Sequence, residues 1–397
     1  MLQAMTKDGI PVTLAMLTKA QINQLKQDRI LFYCPACKQE VIIKAGIKTI
    51  AHFAHRSIAE CPSHEGGESV YHERGKLMLY QWLKSQGLSV QLEIYLPNIR
   101  QRPDLLLNIH NKRIAIEFQC AVISMEEVRK RNAGYRAADI TPIWILGGNQ
   151  LHRISDSHFK LNQHQLPFIH QFSSNAIPSL FFFSNETRHF IIIQDIFLTG
   201  KNLAIGKFSI QRIDRLTFKD MFKEHALIPK DLCILWEKEK YKLRLKQPHR
   251  LFGQELAWHQ WLYLKGIHRE LLPSIIHLPV KHQFKMNTPP WNWQSRLFLD
   301  IIDPLPVGRP FSPRKINHLL RYHHYPADSF PLIHTNNSPV SEYLDLLSRL
   351  RIIIQTSDGN FIKRKSVQKP ETVEQAIKQD KQLMHVLLKQ NKGMISH

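Results

Sequence analysis

Acidic side chains are scarce in this chain: 33 Asp and Glu stand against 54 Lys and Arg over 397 residues, a formal charge of +21. A deficit of that size excludes an acidic scaffold and makes a field that attracts polyanions, so DNA is the first expected partner. Attraction of this kind reads no sequence and weakens with salt. Gly- or Ser-rich tracts are absent and 43% of residues are hydrophobic, which excludes a disordered chain. No long apolar run is unbroken. The most apolar stretch, "SLFFFSNETRHFIIIQDIFL", carries charge in its middle and is not expected to insert in a membrane. The opening "MLQAMTKDGIPVTLAML" has no basic segment leading into an apolar core, so no secretion signal is read. Cysteines number five, an odd and unevenly spread set that does not make a disulfide framework. The reducing cytoplasm fits these absences best.

What is present divides into three regions. Residues 1–62 are rich in Cys and His. Residues 63–150 follow the rhythm helix, strand, strand, helix, strand, that of a small α/β domain. Residues 151–397 are basic, mixed at first and then mostly helical. In the middle region "SVYHERGKLMLYQWLKSQG" places its apolar residues largely along one helical side and Gly87 stops it. Ser124 and Glu127 stand in capping-box spacing at the head of a second helix. Near the end, "SEYLDLLSRLRIIIQTSDGNFIKRKS" reads as helix, strand, Asp-Gly turn, strand. That is the last helix and wing of a winged-helix module, or the commoner unit of a helix packed on a hairpin.

The segment "RPDLLLNIHNKRIAIEFQC" is a hairpin with an acid in each strand. With His110 and Asn111 as turn residues, Ile109 faces Lys112 and the register carries Asp104 opposite Glu117. Opposed residues have Cβ atoms about 4.5–5.5 Å apart, so the two acids repel unless a cation intervenes. Oxygen ligands suit Mg²⁺ or Mn²⁺, which can activate a water against a phosphodiester. Glu68, His72 and Lys76 recur every four residues on the preceding helix and line one stripe toward the same place. The plainer alternative pairs the acids with Arg102, Arg113 or Lys76 on a solvated face.

Cys34 and Cys37 form C-x₂-C, and fourteen residues later His52 and His55 form H-x₂-H, with Cys61 beyond. This is close to the spacing of a structural zinc site, and a metal would offset the small core of so short a region. Five candidate ligands compete for four positions. Arg129, Lys130, Arg131 and Arg136 cluster on the second helix with Tyr135 between them, the combination that neutralises and stacks on a single strand of DNA. A solvated helix face accounts for each cation equally well.

The "PD…E-x-Q" arrangement after a helix resembles the PD-(D/E)XK nuclease superfamily, of restriction-endonuclease-like fold. Within it, "YCPAC…HFAH…C", "HERGK", "QRPDLLL", "AIEFQC" and "IWILGG" resemble the competence protein CoiA family over about the first 150 residues. The resemblance implies a cytoplasmic factor acting on incoming single-stranded DNA in natural transformation. Its place would be at or near the step run by the recombinase RecA or other competence machinery. It also implies that Asp104 and Glu117 hold the metal, with His72, Lys76 and Glu68 supporting. Gln119 stands where the superfamily usually has lysine. A neutral amide cannot stabilise developing negative charge as an ammonium does, so either Lys76 reaches the same point from the helix stripe or the protein is a non-catalytic DNA-binding, recombinase-assisting factor with a degenerate nuclease fold.

Overall fold

The computed structural model describes residues 1–46, 50–56, 61, 69–246 and 250–392. The N-terminal unit is a five-stranded sheet in the order β2-β1-β3-β4-β5. Its strands are β1 (Gln3–Met5), β2 (Pro11–Thr13), β3 (Phe32–Tyr33), β4 (Glu40–Lys44) and β5 (His52–His55), with helix α1 (Lys19–Gln27) between β2 and β3. Thr18 caps α1 reciprocally with Gln21. The core of this unit is small, built on Leu14, Ile22, Phe32, Val41 and Phe53.

A nine-stranded sheet follows in the order β10-β11-β14-β13-β12-β9-β8-β7-β6. It comprises β6 (Ser89–Leu92), β7 (Leu105–Ile109), β8 (Lys112–Gln119), β9 (Ile140–Gly147), β10 (His152–Arg153), β11 (His158–Lys160), β12 (Ser179–Ser184), β13 (His189–Leu198) and β14 (Leu203–Arg212). Helix α2 (Val70–Ser85) precedes β6, and α3 (Met125–Ala137) crosses from β8 to its parallel neighbour β9. Alternate residues serve opposite faces of the sheet. Leu105, Leu107, Ile116 and Phe118 pack with Leu79 and Leu83 of α2, whereas Leu106 and Ala115 pack with Tyr135 of α3. The sheet is therefore covered by α2 on one side and α3 on the other. It also runs across residue 150, where composition suggested a change of domain: β12 continues it by pairing with β9.

The remaining chain is mostly helical, with α4 (Pro229–Leu245), α5 (Gly253–Leu264), α6 (Pro290–Leu297), α7 (Pro313–Leu320), α8 (Pro339–Arg349) and α9 (Val373–Lys392). A small sheet, β15 (Pro310–Phe311), β16 (Ile353–Gln355) and β17 (Phe361–Lys363), has the order β15-β17-β16. Trp236, Trp258, Trp293 and Tyr343 fill one core here. Helices α4 and α9 are tied by Arg244, which holds both oxygens of Asp380 at 2.5 and 2.8 Å. No described helix is long and apolar enough to cross a membrane.

Candidate functional site

The hairpin has the expected register. Ile109 pairs with Lys112 and Leu105 with Ile116, which carries Asp104 level with Glu117 at the end of the ladder. His110 of the turn is in left-handed geometry, at φ 50°. Ser69 caps α2 by accepting the His72 N–H, which sets the phase of the helix. Gly75 then lets α2 close on β8: a Cβ there would stand 2.1 Å from the Phe118 ring. That approach brings His72 and Lys76 onto Asp104. Lys76 Nζ is 3.3 Å from Asp104 Oδ1, and His72 Nε2 is 3.2 Å from Oδ2. The Phe118 backbone N–H donates to the same Oδ2 at 2.9 Å.

Glu117 is held from the other side of the sheet. Arg131 of α3 donates to its Oε1 at 2.6 Å, and the Tyr135 hydroxyl donates to the same oxygen. Burial, with Glu117 alongside, pushes the Tyr135 phenol well above its ordinary range, so it remains a donor. Arg131 also reaches the Arg102 carbonyl at 3.3 Å and lies over the Trp144 ring. The sequence argument expected the two acids to need one shared cation. The structure gives each its own: Lys76 and His72 for Asp104, Arg131 for Glu117.

Other expected site residues are placed as follows. Gln119 turns its amide to the Ala121 carbonyl at 2.7 Å. Glu68 lies outside the described residues. Arg131 and Tyr135, expected to face DNA, are buried, and their polar groups serve Glu117 instead. Arg129 is tied to Asp328 at 2.9 Å, while Lys130 and Arg136 are exposed.

Sequence reasoning missed Glu93, and it named Arg102 only as a partner for Asp104 or Glu117. Glu93 is buried and takes Lys76 Nζ at 2.5 Å, with Arg102 3.9 Å away. It also accepts the Leu2 backbone N–H at 2.7 Å, so the first strand's lead-in touches the group that holds Lys76. Strand alternation in "QLEIYL" sends Glu93 outward. Its positive φ of 49° just past β6 turns it in, and no sequence signal marks that.

Cys34, Cys37, His55 and Cys61 bring one donor atom each within 4.8 Å of one another, and the group could hold a metal ion. Among the described residues no other set of three or more His, Cys, Asp or Glu side chains meets that geometry. Cys34 and Cys61 sulfurs are 3.8 Å apart, which is about the edge of a tetrahedron with 2.3 Å zinc–sulfur bonds. Cys37 Sγ lies 3.2 Å from His55 Nε2. Burial, with Cys34 alongside, pushes the Cys37 thiol up to about 11; a divalent ion reverses that balance by favouring thiolates. His52 is the fifth candidate and stands apart, its Nδ1 at 2.9 Å from the Ile50 carbonyl and 3.9 Å from Glu73.

Known proteins match the chain along most of its length. Three family descriptions apply in order: "Competence protein CoiA, N-terminal domain" over residues 14–64, "Competence protein CoiA, nuclease-like domain" over 68–226, and "Competence protein CoiA, C-terminal domain" over 234–377. The second contains α2 and the whole nine-stranded sheet. Competence protein CoiA of Bacillus subtilis (strain 168) is 32% identical over 291 residues, covering 72% of this chain and 76% of the relative. No solved structure matches. The chain belongs to the competence protein CoiA family.

Proposed function

We propose that this protein serves natural transformation as a metal-dependent deoxyribonuclease acting on incoming single-stranded DNA at the recombination step, beside RecA or other competence machinery in the cytoplasm. The observation that carries the chemistry is Lys76 Nζ at 3.3 Å from Asp104, a cation beside the acid where Gln119 offers none. The PD-(D/E)XK reading rests on that pairing and on a helix–strand–hairpin–helix–strand order with one acid just before β7 and one near the end of β8.

In this reading Asp104 and Glu117 hold Mg²⁺ or Mn²⁺. Their donor type fits, since both offer hard carboxylate oxygens, although α2 holds Asp104 on one side of the sheet and α3 holds Glu117 on the other. Such an ion, when bound, lowers the pKa of a water and neutralises phosphate charge. Lys76 stabilises charge developing on the phosphate. His72 orients Asp104 and is placed to carry a proton. Arg131 and Tyr135 fix the Glu117 carboxylate. The Cys34, Cys37, His55 and Cys61 group takes a structural zinc that holds the N-terminal unit together.

The test uses the full chain, Mn²⁺ and an end-labelled single strand. Wild type cuts, and Asp104→Ala abolishes cutting while DNA affinity changes little. Cutting that survives Asp104→Ala overturns the site. The separate neutralisation of Glu117 by Arg131 favours a second reading, a DNA-binding factor that assists the recombinase without cutting. Wild type that never cuts with any divalent ion, yet binds DNA, selects that one.

A further inference from the structure

From α6 to β17 the chain runs helix, strand, helix, helix, strand, strand, with β15 and β16 flanking β17. This is the connectivity of a winged-helix module, in which α8 takes the place of the helix that enters the major groove. The chemistry of α8 is wrong for that. It carries Glu342 and Asp345, and Arg349 is spent on Asp345 at 2.8 Å. Glu342, Asp345 and Arg349 look across a cleft of about 260 Å³ onto Met384 and Leu387 of α9. The Gln390 side chain of α9 donates to the Arg349 carbonyl at 2.9 Å.

Helix α7 is the opposite case. Residues 304–327 contain no Asp or Glu but carry Arg309, Arg314, Lys315 and Arg321. All four are exposed, and none pairs with an acid among the described residues. Arg314 and His318 are spaced i, i+4 on α7 with Lys315 one position further round, and Arg321 and Tyr322 follow in the cap and turn that end the helix. Arg309 lies ahead of the helix, where its carbonyl accepts the Lys363 N–H beside exposed Arg364. Tyr322 is 75% exposed, and the Arg321 guanidinium covers one face of its ring at 4.6 Å.

We infer that the outer face of α7 and the turns at its two ends bind single-stranded DNA, with Arg309, Arg314, Lys315 and Arg321 on successive phosphates and Tyr322 stacked on a base. A row of cations with no acid to satisfy them complements a polyanion. The open ring face decides for a single strand, since a duplex keeps its bases stacked on one another. The site lies on a different domain from the candidate nuclease centre and would hold the strand that centre receives. It rests on the reading that the protein acts on DNA.

The experiment is fluorescence anisotropy of a labelled thymidine oligonucleotide with the full chain, no Mg²⁺ or Mn²⁺ added, across a salt series. Arg314→Ala/Lys315→Ala/Arg321→Ala is expected to weaken binding at least tenfold and to reduce the slope of log affinity against log salt by about 2. Tyr322→Ala is expected to lose about tenfold and Tyr322→Phe to lose almost nothing. Thermal unfolding of each variant controls for folding. Affinity within twofold of wild type and an unchanged slope for the triple variant overturn the assignment. So does a duplex bound as tightly as the single strand with Tyr322→Ala neutral. Wild type that binds no DNA at all overturns the wider DNA reading instead, which keeps the two failures apart.

Discussion

Gly75 and Phe118 are in contact so close that no side chain fits between them: a Cβ on Gly75 would meet the ring at 2.1 Å. The ring cannot step aside, because Tyr71, His72 and Phe183 pack around it. In an open helix Gly→Ala is worth about 1 kcal/mol of stability. Here overpacking opposes it at about 1–3 kcal/mol, so Gly75→Ala is expected to destabilise the protein. It should also push α2 off β8 and move Lys76 from Asp104. Urea unfolding and cleavage assays read both effects, and Phe118→Leu in the same chain should recover most of the loss.

The Cys/His group makes a prediction about stoichiometry. One zinc per chain is expected by elemental analysis, lost in Cys34→Ser and Cys61→Ser and retained in His52→Ala. Chelation should loosen the small N-terminal core first. Because Leu2 N–H is bonded to Glu93, hydrogen exchange at Leu2 and near Glu93 should rise together with metal loss.

Spacing alone left the spare ligand open among five, and the buried role of Arg131 was not legible at all. A strand has period two, so His52 and His55 on β5 point to opposite faces and only one can join Cys34 and Cys37. The hairpin register follows from a two-residue turn, and Ser124 does cap α3. Local rules suffice for the register and the cap. "RKRNAGYR", by contrast, reads as a solvated face because nothing local says that Arg131 meets an acid 14 positions earlier. Glu93 is the same kind of case: its inward turn is set by Lys76 on another element. Long-range pairing decides which charges go inside.

Stability should fall early on acidification. Burial pushes His170 and His277 down to about 3 and His323 to about 4. His170 Nε2 accepts the Trp144 N–H at 3.0 Å, a bond available to the neutral ring. Unfolded, each imidazole takes its proton near 6.5. Between that value and the folded one the unfolded chain binds more protons, so stability drops as pH falls, by about 1.4 kcal/mol per unit for each residue. Above 6.5 these groups contribute no slope. Burial pushes Glu239 up, but hydrogen bonds from His158 and Lys242 bring it down to about 2, so its share is lost only below the ordinary carboxylate range. Urea midpoints should be flat from pH 8 to 7 and decline from 6.5 to 5, less steeply in His170→Gln.

Lys76 is fully buried between Glu93, at 2.5 Å, and Asp104, at 3.3 Å. Removing it alone takes the lysine from between two buried acids, and breaking a buried pair costs about 3–5 kcal/mol, so Lys76→Met reports folding rather than chemistry. Adding Glu93→Gln withdraws one charge of each sign and keeps an acceptor for Leu2 N–H. This double variant is expected to fold. Its single-strand affinity should stay within about threefold of wild type while cleavage falls about 10²–10³-fold, the usual loss when one group stabilising a transition-state charge is removed. Gln119→Lys on that background returns an ammonium from the strand and should raise cutting at least tenfold. A double variant that cuts at the wild-type rate would show that Lys76 only neutralises Glu93. Failure of Gln119→Lys to rescue a folded double variant would show that position 119 does not face the reacting phosphate, as its bond to Ala121 already suggests for the amide.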